Sequence, residues 1–493
     1  MQKVLFWTAA AALILFSATR PAFAGDDDGG DAEKKREDLF GKSFGKQIED
    51  AVDKGCDWLK KQQGLDSTAP KEVFGKKPDN PTYEAGTPHQ YWIARTAFPI
   101  QALCKSGCFV DDPAIDSAMK WLRENYTENG AIGYMQGSVG SSTYEDATVL
   151  NAVEAYYVSA WETHERGFDN PKKRYVKDDD GNKIPVTRWG TEEVGAKKKK
   201  KDRNFKLDRK DQKICEIAVK ALEARFRKGA YGGAGWRYAK PGMAEQDPMV
   251  DVSASQYAIL GLKAATRLGI KYDKGMLVEV FRFLRGQQDK DGPEVKAKWK
   301  KAKSDDDKKG RSTSSEPPEK TLHARGWGYC RQSSHSELDK STYGSMTAAA
   351  INALILIRDE MVDDPGQRKV WDKVEEDCNL MIGDGLAWMV ANWSMEENPK
   401  AGMHRFYYYL YTIERLGMLG GIDEIGSHDW YIEGAQVLLK QQTKGGAADG
   451  AWDVGNEISP SDVYDTCYAL LFLKRATSGV DRPIPVITGD GGD

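Results

Sequence analysis

The apolar positions of this chain fall into a helical rhythm that recurs along most of its length. Five stretches end in two apolar residues followed by a side-chain amide: Trp58-Leu59 with Gln62, Trp121-Leu122 with Asn125, Phe283-Leu284 with Gln287, Trp388-Met389 with Asn392, and Leu438-Leu439 with Gln442. Ala221-Leu222 with Arg225 is a weaker sixth. In each, the polar residue lies four positions after the first apolar one and shares its helical face. Glycine-rich turns bearing an aromatic residue follow several of them, at 130–134, 235–238, 326–329 and 450–452.

Each of these helices pairs with a second one richer in small residues, over 91–103, 144–160, 251–265, 343–357, 406–419 and 462–476. Ser142-Thr143-Tyr144 and Ser341-Thr342-Tyr343 match letter for letter, and both tyrosines are followed four positions later by a threonine. The pattern therefore predicts six helix pairs, twelve helices in all. The first-helix markers are spaced by 63, 100, 62, 105 and 50 residues. The two long intervals contain charged insertions at 169–213, with the lysine run 197–201, and at 289–325. Segments of that composition bury little apolar surface and read as solvated loops. The lysine run could also contact an anionic surface.

The N-terminus carries a different signal. Lys3 precedes an apolar run over 4–16, and Ala22-Phe23-Ala24 fits the small-x-small cleavage rule, so 1–24 reads as a cleaved signal peptide. The run of 13 residues would rise only about 20 Å as a helix, short of a hydrocarbon core of ~30 Å. A charged linker over 25–44, a helical body over 45–476 and a disordered tail over 477–493 complete the organisation. The expectation is an exported protein, periplasmic or extracellular, with no transmembrane span after cleavage.

Composition narrows the function. The chain has 493 residues, with Lys+Arg 71 against Asp+Glu 75. That balance lacks the basic excess of a dedicated nucleic-acid binder. Fifteen Phe, 14 Trp and 21 Tyr supply an aromatic-rich core. The seven cysteines show no C-x-x-C, and no histidine has a metal-ligand spacing, so neither metal nor cofactor is expected. Cys104 and Cys108 lie four apart at a helix end, the rest are scattered, and the odd count leaves at least one thiol unpaired. Buried small hydrophobes with at most one disulfide fit that distribution.

Six helix pairs carrying W-L-x-x-Q and followed by Gly-Trp turns resemble the alpha/alpha-toroid superfamily of terpenoid cyclases and protein prenyltransferases, and most of all exported bacterial squalene-cyclase/prenyltransferase-repeat proteins. The resemblance covers about 45–476 and implies an all-α fold, an (α/α)6 toroid, with small-residue helices inside and W-L-x-x-Q helices outside. The cyclases open an inner helix with D-x-D-D-T-A, whose middle acid protonates an alkene and must be neutral in a dry pocket. Here that segment survives only in parts. Asp251 keeps the first acid, but Ser253 occupies the donor position; Asp462 and Asp465 keep the first and fourth, with Tyr464 between; Asp146 stands alone at the middle position of its repeat. Asp251 and Asp462 could equally cap their helices. The zinc prenyltransferase segment D-x-Y-H-T-C-Y is approached by 462–468, but Asp465 replaces the zinc-binding histidine, so that activity is not expected.

The candidate ligand-binding residues are Trp236 and Trp327 in the glycine-rich turns, with His404, Tyr407 and Tyr411 on the aromatic helix start at 403–411. Consecutive aromatics point all round a helix, so only one or two of them can reach a cavity. Glu414 is a further candidate for the cavity wall, and Asp429 is placed to cap the next helix. Three functions follow. The first is a non-catalytic or divergent toroid that binds a hydrophobic or stacking ligand, a small molecule or an envelope component. The second is a terpenoid-cyclase-type isomerase with Asp146, Asp251, Asp462 or Asp465 in a rearranged acid site. The third is a glycan-processing enzyme using paired carboxylates.

Overall fold

The computed structural model describes residues 29–63, 92–128, 142–177, 183–185, 205–228, 232–237, 250–301, 320–331, 336–362, 364–453 and 461–480. The expected signal segment, the lysine run and the last residues of the tail lie outside them. Residues up to Gln47 form one unit, of which the start of helix α1 (Gly29–Lys61) is described. That helix occupies most of the stretch expected as a linker. All that follows concerns the second unit, Ile48–Asp493.

This unit is mostly helical and alternates the two helix types. The W-L-x-x-Q type gives the end of α1, then α3 (Pro113–Asn125), α5 (Arg209–Arg225), α7 (Gly275–Gln287), α9 (Glu375–Ala391) and α11 (Trp430–Gln441). The small-residue type gives α2 (Trp92–Lys105), α4 (Thr143–Glu165), α6 (Val252–Arg267), α8 (Gly344–Val362), α10 (Phe406–Gly420) and α12 (Ser461–Leu473). Side chains fix several starts. Asp112, Asp208, Asp251 and Asp429 each accept a bond from a first-turn amide, and Ser142 with Glu145 forms a capping box. The cap at Asp429 sits where the sequence puts it.

The even-numbered helices form a cycle. Each packs on the next even helix, from α2 through α4, α6, α8 and α10 to α12, and α12 packs back on α2. Every residue of α8 is buried: its first turns are small and apolar, and Asp359 and Glu360 near its end are paired with Lys263. Small residues allow the close approach: a Cβ on Gly261 of α6 would lie 2.7 Å from the Cα of Ala147 on α4. The odd-numbered helices pack on the even ones, α3 on α2, α5 on α4 and α9 on α8.

The turn tryptophans join the two kinds of helix by one repeated device. Trp236 Nε1 donates to Leu222 O, Trp327 Nε1 to Leu284 O and Trp452 Nε1 to Leu438 O, each at 2.8 Å. The acceptors are carbonyls in the last turns of α5, α7 and α11, each of which also accepts the N–H of the residue that caps its helix, Phe226, Gln288 or Gln442. The backbone N–H of each tryptophan then donates to a hydroxyl on the following even helix, Ser255 at 3.1 Å, Thr347 at 3.1 Å and Thr466 at 3.0 Å. Each indole thus stitches the end of an odd helix to the start of the next even one.

The described parts of the second insertion, 289–301 and 320–325, are not the solvated loop their composition suggests; 302–319 lie outside the described residues. Glu294–Ala297 pairs antiparallel with Lys320–His323, and Trp299–Lys301 pairs with Ile422–Ile425. Ala297, Trp299, Leu322 and Ala324 are buried, and Arg325 Nε donates to buried Asp384 of α9 at 2.7 Å. A few apolar residues at strand spacing anchor it, and the surrounding charge hides them in any average over the segment. The first insertion contains a short hairpin, Tyr175–Lys177 with Lys183–Pro185, whose Tyr175 is exposed.

Candidate functional site

The even helices begin around a shared cavity of about 640 Å³. Its lining alternates by helical turns: Tyr144 and Thr148 on α4, Ser253 and Tyr257 on α6, Tyr464 and Tyr468 on α12, each pair four residues apart on one face. Phe98 of α2, Ser345 and Met346 of α8, and Tyr408 of α10 complete the wall. Tyr257 sits at the centre of a ring cluster. It meets Tyr144 edge-on at 5.1 Å and stacks with Tyr408 at 6.0 Å, while Tyr468 meets Tyr408 edge-on at 5.9 Å. The Tyr257 and Tyr468 hydroxyls share a hydrogen bond of 2.6 Å. The wall is therefore aromatic in its faces and polar at its edges.

Beneath these rings lies a buried cation. The Arg415 guanidinium sits 3.7 Å from the Tyr411 ring centroid and 5.2 Å from that of Tyr257, and Nη1 donates to Gln256 Oε1 at 3.4 Å. Cation–π contact offsets part of the cost of burying it. Below it the opposite ends of the even helices are tied by charge. Lys105 and Arg267, the last residues of α2 and α6, both pair with Glu154 (3.5 and 3.2 Å), and Lys263 pairs with Asp359 at 2.7 Å. Cations at helix C-termini also meet the favourable end of the dipole. Residues 477–479 lie across this end. Arg267 Nη2 donates to Ser478 O at 3.0 Å, and Thr477 Oγ1 donates to Glu414 at 2.7 Å.

At the opposite rim, 398–405 is clamped onto the start of α8. Asn398 Nδ2 donates to Ser345 Oγ at 3.0 Å and to His404 O at 2.8 Å, and its Oδ1 accepts from Ser345 N at 2.8 Å. Arg405 then takes a left-handed backbone with φ 54°, uncommon for a residue with a side chain, and lines the cavity with His404, Arg237 and Asp339. Burial, with the neighbouring Arg405 charge, holds the His404 imidazole below its ordinary value.

The residues expected from sequence separate into three groups. Asp465 and His404 line the cavity, and Asp465 is fully buried. Tyr411 lies below it beside Arg415, whereas Tyr407 is packed in the wall. Trp236 and Trp327 are the structural stitches described above, away from the cavity, because their N–H groups are committed to the helix ends. Asp146 does not reach the cavity either: it pairs with Arg225 and accepts from Tyr126 Oη at 2.6 Å. Glu414 lies with the charged end, bonded to Thr477. Asp462 belongs to α12, but its side chain is outside what the structure describes. The acids therefore do not converge, and among the described residues no group of three His, Cys, Asp or Glu side chains could hold a metal.

Asp251 acts as a helix cap: its Oδ1 accepts from Ala254 N at 2.6 Å. Burial pushes its carboxyl up to about 7 against that bond and the Arg237 charge. Burial likewise raises Glu145 to about 8 and Glu414 to about 7. A carboxyl raised by folding binds a proton more readily in the native than in the unfolded chain, so stability is greatest at low pH and falls as pH rises towards the native value. For Asp251 the fall runs from about pH 4 to about 7, with a slope near 1.4 kcal/mol per pH unit. Asp251→Asn keeps a good cap. In urea titrations between pH 4 and 7 it should make the slope shallower by about 1.4 kcal/mol per pH unit, leaving the contributions of Glu145 and Glu414; an unchanged slope would mean that Asp251 is ionised throughout.

Sequence reasoning did not single out Tyr257, Tyr408 or Tyr468, Arg405 or Asn398. The tyrosines carried a signal in their four-residue spacing from Ser253, from His404 and from Tyr464. Asn398 carried none. No described helix is long and apolar enough to cross a membrane. No protein-family model, no curated protein and no solved structure matches this chain, so the site must be read from its own residues.

Proposed function

We propose that the chain is an exported (α/α)6 toroid, a non-catalytic or divergent member of the squalene-cyclase/prenyltransferase-repeat group, that binds a hydrophobic or ring-stacking ligand in its central cavity. The observation that carries this reading is the cavity itself, walled by tyrosine rings and closed beneath by Arg415 and the charged helix ends. The cyclic packing of the even helices supports the toroid. The apolar ring faces suit a flat or aliphatic ligand, and the hydroxyl edges suit a few polar groups on it. Of the expected acids with described side chains only Asp465 lines the cavity, which supports binding over the expected cluster of carboxyls.

One observation favours the cyclase reading as a second possibility: Asp465 is a buried carboxyl on an aromatic-walled cavity, a setting in which ring faces would stabilise a carbocation. Incubating the purified protein with squalene, then extracting and analysing by mass spectrometry, separates the two. The expected result is squalene recovered unchanged from wild type and Asp465→Asn alike, with Tyr257→Ala retaining roughly 3- to 10-fold less of it. A cyclised product made by wild type and lost in Asp465→Asn would replace binding with catalysis. Equal retention by Tyr257→Ala would remove the cavity as the binding site.

A further inference from the structure

The seven cysteines carry thiols in this structure, and two of them meet across a helix junction. Cys56 lies on α1 one turn before Lys60, on the same face. That face is held against the turn after α2. Lys60 Nζ pairs with Asp112 Oδ2 at 2.7 Å, and Gln63 Nε2 donates to Ala114 O at 2.9 Å. The Cys56 thiol therefore faces the turn, where its hydrogen-bonding neighbour is the Cys108 thiol. Cys108 is fixed from both sides: its N–H donates to Leu103 O at 3.1 Å and its carbonyl accepts from Ser159 Oγ at 3.2 Å.

The pair has the features of a reactive dithiol. Cys56 is buried and Cys108 is half-buried, which gives a reagent one sulfur to approach. The Lys60 ammonium lies near both sulfurs and favours a thiolate at Cys108, while the hydrogen bond to Cys108 and burial hold the Cys56 thiol well above its ordinary value, which makes Cys108 the attacking sulfur. We propose that Cys56 and Cys108 form a redox site that closes to an intramolecular disulfide between α1 and the end of α2 on meeting a disulfide donor, either oxidised glutathione or a thiol–disulfide exchange protein. In the first step the Cys108 thiolate attacks the donor disulfide, forming a mixed disulfide and releasing one donor thiolate. The Cys56 thiolate then attacks the Cys108 sulfur and releases the second. Two protein thiols are oxidised, one donor disulfide is reduced to two thiols, and the protein's two protons pass to the departing thiolates. The proposal is independent of what the cavity binds.

The test uses the full chain, held in oxidised glutathione or in dithiothreitol, then unfolded and alkylated with N-ethylmaleimide for mass spectrometry. The oxidised sample should lose two alkylation adducts relative to the reduced one, with a peptide map placing the link between Cys56 and Cys108. It should also melt roughly 5 °C higher, because the bond constrains the unfolded chain. Cys108→Ser, at a half-buried site that tolerates it, should abolish both differences, and Cys56→Ala should do the same. Full alkylation after oxidation, a link through Cys104, or a glutathione adduct persisting on Cys108 would each overturn the proposal.

Discussion

Replacing Trp327 with alanine should cost about 3–5 kcal/mol of folding stability, measured by urea or guanidinium unfolding. The indole is fully buried, and its loss leaves a cavity between α7 and α8 and removes the second of the two bonds that Leu284 O accepts, the first coming from Gln288 N–H. Trp327→Phe keeps most of the packing and isolates the hydrogen bond, so its cost should be nearer 1–2 kcal/mol. Trp236 and Trp452 make the same bonds in their own repeats and should behave alike. The experiment also decides between two roles for the turn. A stitch loses stability and leaves ligand retention in the folded fraction intact. A binding residue would do the reverse.

Asp146→Ala should be comparably damaging, at about 3–5 kcal/mol, because it strands the Arg225 guanidinium without its carboxylate partner in the interior. The same change deprives Tyr126 Oη of its acceptor. Asp146→Ala combined with Arg225→Met should recover most of the loss, since an apolar replacement of both partners removes the stranded charge. A double-mutant cycle in denaturant checks this. If the double variant is no better than the single one, the buried pair is not what Asp146 contributes, and a role for its carboxylate elsewhere reopens.

The helices were legible because their signals are local and periodic. The W-L-x-x-Q endings, the small-residue helices and the capping aspartates each lie within a few residues of the structure they specify. The site was less legible because it depends on rotation about a helix. In the run Phe406-Tyr407-Tyr408-Tyr409, successive residues turn by about 100°, so Tyr408 reaches the cavity while Tyr407 and Tyr409 pack into the wall. Nothing in the order of letters says which one faces inward. Asp146 and Asp465 show the same limit. Both are acids near the start of an even helix, yet one meets an arginine from the neighbouring helix and the other an open chamber. The turn tryptophans announced the repeat clearly, and it was their purpose that the pattern left undetermined. The strands of the second insertion were hidden because four apolar residues were averaged with the charges around them.

The seam of the cycle has a consequence for how the molecule is made. Trp58 Nε1 donates to Ala447 O across 389 positions of sequence, and Gln442 Nε2 donates to Ala51 O at 2.8 Å. A Cβ on Gly55 would strike the Trp452 indole at 2.7 Å, so the fit there is close. The opening segment of the chain must therefore wait for almost the last one before its surface is covered. Such long-range closure slows folding and leaves an adhesive edge exposed until synthesis is nearly complete. A premature stop ahead of α11 would release a chain whose first repeat has nothing to dock against, and clumping rather than simple loss of ligand would be its phenotype.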